Sequence, residues 1–364
     1  IFAGCALSNI LILTGLNVII EYVLTSKARH FTNSSDVKLP RVRAFMDDLN
    51  LMSSSITDCQ DLLSKCTKAL TWAGMTFRPD KSRSIVILKG RSLNSTPFKI
   101  GNPSSPTDFS CYIPSIHSTP VKFLGRVIDG TLSDRKAIDE LQEKLSTGLK
   151  LIDKAPFSGT QKLWILQHLL VPRVQWPLLI YEVSISCALL LENRISVFIR
   201  KWLKIHPSIT NLSLYSPLSP CPLPVKPLTI ILKSSKISGH LLLRDSNDPI
   251  VSSTSPQLKS GKWNVDSTTS IAEAEINFQQ IRGPLQMGRS GIGIYQQSPV
   301  PEKGTYDYRK RVSSTSTSID FEAHSQKAIQ LNLQCHWMAW ENYIKNDLSW
   351  KNLLAMPPNL ISFC

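Results

Sequence analysis

The chain has 364 residues, of which 41 are Lys or Arg and 27 are Asp or Glu, and its formal net charge at pH 7 is +14. A hydrophobic share of 42% excludes a wholly disordered chain, and 19% charged residues exclude a protein that lies in a membrane throughout. The positive excess favours a polyanionic partner, nucleic acid ahead of an anionic membrane, and the length predicts two or three domains.

The first twenty residues carry no charge, and Glu21 is the first charged residue of the chain. A run of this length fits either a membrane-spanning helix or a helix buried in a protein core. A signal peptide fits poorly, because no basic residues precede the run. Hydropathy alone leaves both readings open, and recovery of the chain in the soluble fraction would argue against the membrane alternative.

A predicted β-hairpin follows, with two aspartates at its tip. Apolar and polar residues alternate over residues 42–46 and again over residues 49–52, on either side of Asp47 and Asp48. Adjacent carboxylates between apolar strands need a positive partner, and a pair of Mg²⁺ ions is one such partner. Taken alone, the two residues are more typical of a solvated turn than of a metal site.

Three further motifs give this pair a context, and together they resemble the reverse transcriptases of non-LTR retrotransposons. The hairpin segment Phe45-Met46-Asp47-Asp48 is similar to the catalytic [FY]xDD motif of that family. The other matching segments are Gly4-Cys5-Ala6-Leu7-Ser8, Trp72-Ala73-Gly74-Met75 followed by Lys81-Ser82, and Lys122-Phe123-Leu124-Gly125. The resemblance is strong over residues 1–130, weaker over 131–205 and faint beyond them. It implies that residues 9–24 form the buried helix of a polymerase palm.

The resemblance implies an RNA-directed DNA polymerase that joins nucleotides by two-metal chemistry. Asp47 and Asp48 would hold Mg²⁺ or Mn²⁺, and Lys81 would act on the leaving pyrophosphate. The remaining matched residues would contact the nucleotide or the primer end: Gly4, Phe45, Met46, Lys122, Phe123, Leu124 and Gly125. The partners would be an RNA template, a DNA primer and dNTPs, inside the cell, with no membrane and no protein partner predicted.

The segments between these motifs agree with an α/β domain followed by helices. One apolar face over residues 58–72 predicts a helix that Gly74 ends, and residues 78–101 hold six basic residues against Asp80. Apolar residues at helical spacing predict further helices over residues 133–154, 159–170 and 188–204. Their basic residues are interpreted as phosphate contacts, although an ordinary helical bundle with cationic surfaces shows the same pattern.

The last third is less regular. Prolines and serines over residues 206–265 predict a connector with short strands at Leu228–Leu232 and Leu241–Leu243. Helices are expected over residues 270–282 and 320–343, while the basic cluster at residues 308–311 is interpreted as a solvated loop. Eight cysteines with no CxxC pair predict free thiols rather than disulfides or a zinc site, at these positions: Cys5, Cys59, Cys66, Cys111, Cys187, Cys221, Cys335 and Cys364.

By its resemblance, the fold is expected to be an α/β (α+β) polymerase palm remnant with a small antiparallel sheet, a helical thumb and an irregular to helical extension. The expected boundaries are 1–132 for the palm, 133–205 for the thumb, 206–265 for the connector and 266–364 for the extension. Because the chain begins inside the first motif, we expect a fragment without fingers or a third metal-binding aspartate, inactive alone. The alternative is a non-catalytic nucleic-acid-binding protein derived from a retroelement.

Overall fold

The protein is described from a computed structural model that covers most of the chain. The described residues are 6–33, 36–46, 48–95, 98–101, 111–215, 223–254, 263–282, 285–288, 291–294, 299–330 and 349–356. The chain divides into two compact units, one made of residues 1–134 and 248–254 and the other of residues 135–247 and 255–364. Each unit is described by itself.

The first unit combines three helices with five two-stranded antiparallel ladders among its described residues. Its helices are α1 (Ala6–Leu24), α2 (Ile56–Trp72) and the short α9 (Pro249–Ser253). Its strands pair in order along the chain: β1 (Phe31–Thr32) with β2 (Lys38–Leu39), β3 (Val42–Phe45) with β4 (Asp48–Leu51), β5 (Val86–Leu88) with β6 (Arg91–Leu93), β7 (Lys99–Ile100) with β8 (Cys111–Tyr112), and β9 (Val121–Phe123) with β10 (Arg126–Ile128).

The helix expected in the uncharged N-terminal run is present as α1, but only one stripe of it is buried. Leu16, Ile19 and Val23 pack in a cluster with residues of α2 and β3, whereas Leu11 and Val18 are exposed. A helix that is apolar all round can bury only the side that meets a neighbour. The expectation that this run lies within the core is therefore correct for one face alone.

The buried face and the C-terminus of α2 agree with the prediction from the sequence. Its buried residues are Leu62, Leu63, Cys66, Ala69 and Leu70. Gly74 has a φ of +71°, a conformation that glycine adopts without the steric cost of a side chain. The amide of Gly74 donates to the carbonyl of Thr71 and that of Met75 to the carbonyl of Leu70, at 3.0 and 2.8 Å. These two bonds are the Schellman pattern that closes a helix C-terminus.

The second unit is built mainly from helices. They are α3 (Arg135–Lys154), α4 (Gly159–Ile165), a π-helical turn (Leu166–Leu170), α5 (Val171–Ile180), α6 (Ile185–Leu203), α7 (Asn211–Tyr215), α8 (Leu228–Arg244), α10 (Val265–Arg282), α11 (Tyr306–Ile329) and α12 (Trp350–Ala355). Strands β11 (Leu285–Gly288) and β12 (Gly291–Ile294) form a hairpin. Apolar faces of α3 to α8 make the main core of this unit.

Several expectations for this unit are corrected. The short strands expected in the connector are wrong, because both leucine-rich stretches lie in α8. The connector is therefore not irregular throughout. The helix predicted over residues 159–170 does not end there, because the π-helical turn runs directly into α5. The basic cluster at residues 308–311 belongs to α11 rather than to a loop. The second half of the helix expected over residues 320–343 lies outside the described residues.

The described thiols agree with the cysteine prediction. Cys59, Cys66 and Cys187 are free. Burial raises the pKa of Cys59 and of Cys66 to about 11, so both thiols are protonated at neutral pH. As for membranes, no helix in the described ranges is long and apolar enough to cross one.

Candidate functional site

The hairpin of β3 and β4 has one face on the core and one face in solvent. Its cross-strand pairs are Val42 with Leu51, Arg43 with Asn50, Ala44 with Leu49, and Phe45 with Asp48. Since paired residues share a face, Arg43, Phe45, Asn50 and Asp48 lie together on one side. Of these, Arg43, Phe45 and Asp48 are exposed. The predicted hairpin is confirmed, and it presents Asp48 to solvent beside an aromatic ring and a cation.

The opposite face of this hairpin holds it in place. Val42 is buried, and Leu49 and Leu51 pack against the cluster that α1 and α2 form. A slip of one residue in the strand register would turn these apolar side chains to solvent and Asp48 towards the core. Burial of this face therefore fixes which way the acidic residue points.

Hydrogen bonds of Arg41 connect the start of the hairpin to the end of α1. Its guanidinium donates to the carbonyls of Leu24, Ser26 and Ala28 at 2.7, 2.6 and 2.8 Å. The carbonyls that follow a helix lack partners within it, and a cation at that end also meets the negative end of the helix dipole. Arg41 is a positioning residue that the sequence reasoning missed. Its one signal was a basic residue directly before the first strand of the hairpin.

The tip of the hairpin carries the residues expected to bind metal. Met46 has a φ of +53°, as the first residue of a two-residue loop in the left-handed region. Asp47 lies outside the described residues, as does Gly4 of the first motif. Within the part of the chain that the structure describes, no three His, Cys, Asp or Glu side chains gather into a group. An exposed carboxylate nevertheless suits Mg²⁺, which takes many of its ligands from water and substrate phosphates.

Lys81 lies in a turn whose other charged side chains already form an ion pair or hydrogen bonds. Arg78 Nη2 pairs with Asp80 Oδ2 at 2.9 Å, and this hydrogen bond lowers the pKa of Asp80 below its ordinary value. Arg83 donates to the carbonyls of Asp80 and Ser82, both at 2.7 Å. Among the described residues Lys81 has no ion-pair partner and is exposed. It is the one cation of this turn that is free to meet a phosphate.

The expected primer-contacting segment forms a second hairpin. Lys122 and Phe123 lie in β9, and Phe123 pairs with Arg126 across a two-residue turn. In that turn Leu124 has a φ of +46° and Gly125 a φ of +85°. Both angles are those of a type I′ turn, whose first position strongly prefers Asn, Asp or Gly. Leu124 is therefore held in a costly conformation, with its side chain 46% exposed.

The structure brings some of the predicted site residues together and leaves others apart. Phe45 and Asp48 are cross-strand partners, and Lys122 to Gly125 share one hairpin. No hydrogen bond or ion pair among the described residues connects Asp48 with Lys81 or Lys122. Asp48, Lys81 and Lys122 all belong to the first unit.

The cations of α6, expected to face a nucleic-acid backbone, already have partners within the second unit. Lys201 Nζ lies 2.6 Å from Asp153 Oδ2. Arg200 donates to the carbonyl of Ile209 and to Asn211 Oδ1, at 2.7 to 2.9 Å. These bonds hold the end of α6 to its neighbours, and a phosphate would have to compete with them. The uncommitted cations of the first unit are better placed for that role.

The chain is similar in sequence to a known retroelement protein. No protein-family model matches the chain. Over 169 residues the chain is 28% identical to the Retrovirus-related Pol polyprotein from type-2 retrotransposable element R2DM of Drosophila melanogaster. The match covers 44% of this chain and 15% of that polyprotein. This similarity supports a retroelement origin for the chain.

Proposed function

We propose that this chain takes part in RNA-templated DNA synthesis, as a reverse-transcriptase-type nucleotidyltransferase of retroelement origin. In this proposal the first unit corresponds to a polymerase palm and the first helices of the second unit to a thumb. The substrates are dNTPs and a DNA primer annealed to an RNA template. The observation that carries the proposal is the β3–β4 hairpin, which packs Val42, Leu49 and Leu51 against the core and presents Asp48 on the opposite face.

Each matched residue has a role in the proposed reaction. Asp47 and Asp48 would hold Mg²⁺ or Mn²⁺ at the hairpin tip. A metal ion held there would lower the pKa of the primer hydroxyl and would stabilise negative charge on the phosphate oxygens. Lys81 is free to neutralise the departing pyrophosphate. The β9–β10 hairpin, with Lys122 at its start, would hold the primer end.

A second candidate is a nucleic-acid-binding protein without catalysis. The observation that favours it is the set of exposed cations in the first unit that have no ion-pair partner among the described residues. They include Arg43, Lys81, Lys89, Arg91 and Lys122. Lysines and arginines that contact phosphates release counterions, so such binding weakens steeply with salt. In this alternative the aspartate pair has no function of its own.

Primer extension on an RNA template, with Mg²⁺ or Mn²⁺, separates the two candidates. Asp47→Asn and Asp48→Asn each remove one charge from the hairpin tip, so any DNA synthesis that the unmodified chain carries out should be lost in both variants. Asp36→Asn is the matched control, because Asp36 is an exposed aspartate of the same unit with a φ of +57°, which Asn also adopts. The Asp36→Asn variant should have the same activity as the unmodified chain.

The outcomes are distinct. Synthesis that survives both hairpin substitutions would contradict the catalytic proposal. A chain that makes no DNA but binds RNA, with unchanged affinity in the double variant Asp47→Ala and Asp48→Ala, would establish the second candidate. The salt dependence of that binding would then report the number of phosphate contacts.

A further inference from the structure

The β5–β6 hairpin has an exposed tip that no motif explains. Its cross-strand pairs are Val86 with Leu93, Ile87 with Ser92, and Leu88 with Arg91. Val86 packs against a cluster that contains Leu63, Phe98 and Ile113, so the base of the hairpin rests on the core. Nearer the turn, by contrast, Leu88 is 59% exposed and Ile87 is 56% exposed.

The base of the hairpin is held firmly on both strands. Ser92 Oγ donates to the carbonyl of Gly130, which follows the β9–β10 hairpin. Just before β5, the amide of Ser84 donates to the carbonyl of Pro114 at 2.9 Å, and Arg83 Nε donates to the carbonyl of Thr119 at 3.2 Å. Because the base of the hairpin is fixed, its exposed tip can bind a partner with little loss of conformational entropy.

The segment of the chain that contains the tip is rich in basic residues. Between residues 81 and 128 the chain has seven basic residues and one acidic residue, Asp108. Lys89, in the turn, and Arg91, the first residue of β6, are both exposed. Neither has an ion-pair partner within the described ranges of the chain. A tip with cations beside exposed apolar side chains fits a polyanion that also offers apolar surface.

A nucleic-acid duplex has both properties, since phosphates line its grooves while sugars and base edges form their walls. Two-stranded β-ribbons enter such grooves, and apolar side chains make wedges against sugars and base steps. Duplexes that contain RNA have a wide and shallow minor groove. A hairpin tip with an exposed leucine beside two exposed cations, Lys89 and Arg91, matches this chemistry.

We propose that the β5–β6 hairpin is a duplex-binding element, which docks in the minor groove of the RNA–DNA template–primer. Lys89 and Arg91 contact phosphates on either side of the groove, and Leu88 packs against the sugars between them. This inference rests on the proposed function for the identity of the duplex, but it concerns residues outside the aspartate hairpin and the primer-contacting hairpin.

The test measures binding of the full chain to a fluorescent RNA–DNA hybrid duplex by anisotropy, over a range of salt concentrations. The double variant Lys89→Glu and Arg91→Glu should weaken binding more than tenfold and reduce the salt slope by about 2, one for each lost phosphate contact. Its matched control is Lys27→Glu with Lys68→Glu, an equal charge change at exposed positions of the same unit. The control should weaken binding less than threefold.

A second pair of variants tests the apolar contact. Leu88→Ser should weaken binding about fivefold and leave the salt slope unchanged, since no phosphate contact is lost. Ile85→Ser, at a 43% exposed residue before the hairpin, should bind like the unmodified chain. Circular dichroism of all variants checks that they are folded.

The inference is overturned if the hairpin variant and its charge-matched control lose affinity equally, or if the unmodified chain binds no duplex. Primer extension in parallel separates it from the proposed function. Synthesis that requires Asp48 together with normal duplex binding by the hairpin variant would defeat the inference alone. Loss of duplex binding in the hairpin variant, with synthesis indifferent to Asp48, would defeat the catalytic proposal and leave the inference standing.

Discussion

Arg41 donates a hydrogen bond of 2.7 Å to the carbonyl of Leu24, the last residue of α1, and so connects the N-terminal helix to the aspartate hairpin. The same guanidinium bonds to the carbonyls of Ser26 and Ala28. The residue is 9% exposed, so water does not readily replace these bonds. The position of Asp48 therefore depends on a cation seven residues away, and not only on its own strand.

Substitution of Arg41 tests this connection. Arg41→Met keeps the length of the side chain but removes its donors, leaving carbonyls after α1 without a partner. We expect the first unit to lose about 3 kcal/mol of unfolding free energy, in the range for charged hydrogen bonds that are lost from a buried site. Urea denaturation measures the loss.

The control for this change is Arg43→Met, two residues further along. Arg43 is exposed, and a surface substitution of this kind changes stability by no more than about 0.5 kcal/mol. Equal effects of the two substitutions would mean that the bonds of Arg41 contribute nothing specific.

Gly159 allows close approach of α4 to the end of α6 in the second unit. A Cβ atom at this position would lie 1.9 Å from the backbone oxygen of Trp202, which cannot move as a side chain can. Gly159→Ala should therefore destabilise the second unit by about 3 kcal/mol, as overpacking does in a dense core. Thermal unfolding followed by circular dichroism measures this effect.

A second glycine of the same unit provides the comparison. At Gly239, within α8, an added Cβ would meet Leu179 Cδ1 at 3.4 Å, an ordinary contact. Gly239→Ala should raise stability by about 0.5 to 1 kcal/mol, because alanine favours the helix. A loss at Gly239 as large as that at Gly159 would rule out the close approach as the cause.

The backbone of Leu124 is strained in the turn between β9 and β10. An L-residue in the left-handed region costs about 1 to 2 kcal/mol, and Asn adopts it more readily than Leu. Leu124→Asn should therefore raise the unfolding free energy of the first unit by about 1 kcal/mol, measured by urea denaturation. Leu124→Ala keeps the cost in the turn and should give no gain. Equal stability of the two variants would contradict the strain.

His240 makes the second unit sensitive to acid. Burial lowers the pKa of His240, and this effect outweighs the attraction of Asp266, whose Oδ1 lies 2.9 Å from Nε2. The unfolded chain therefore binds a proton at a higher pH than the folded chain does, and stability falls as the pH drops below the ordinary value of 6.5. Burial lowers the pKa of His324 in the same direction.

Urea midpoints between pH 8 and pH 5 measure this dependence. The midpoint should be steady above pH 7 and fall below about pH 6.5. His240→Gln removes one of the two titrating groups, so its midpoint should fall less over the same interval. A midpoint of the unmodified chain that rises on acidification would contradict the lowered pKa values.

The elements that could be predicted from sequence are those with a clear period. Alternation around Asp48 gave the β3–β4 hairpin, and apolar spacing from Leu62 to Leu70 gave the buried face of α2. Both signals come from one buried face against one solvent face, which a sequence records directly. The presence of Asp48 on the exposed face also follows from this pattern.

The features that could not be predicted from the sequence were missed for physical reasons. Four of the five residues of Leu228–Leu232 are apolar, so the period of this short stretch does not distinguish a buried strand from a buried helix. The bonds of Arg41 and the contact at Gly159 join residues whose proximity is set by tertiary packing, and no local pattern reports them. The exposure of Leu88 at the tip of β5–β6 could not be predicted from the sequence either, because a leucine in a strand is usually a core residue.

The most direct test of the central claim, that the aspartate hairpin holds a catalytic metal, is Mn²⁺ binding followed by electron paramagnetic resonance. Titration of the full chain with Mn²⁺ should show binding that is lost in Asp47→Asn and in Asp48→Asn and kept in Asp36→Asn. This readout does not depend on turnover. Binding that is equal in all four proteins, or no binding by the unmodified chain, would contradict the claim.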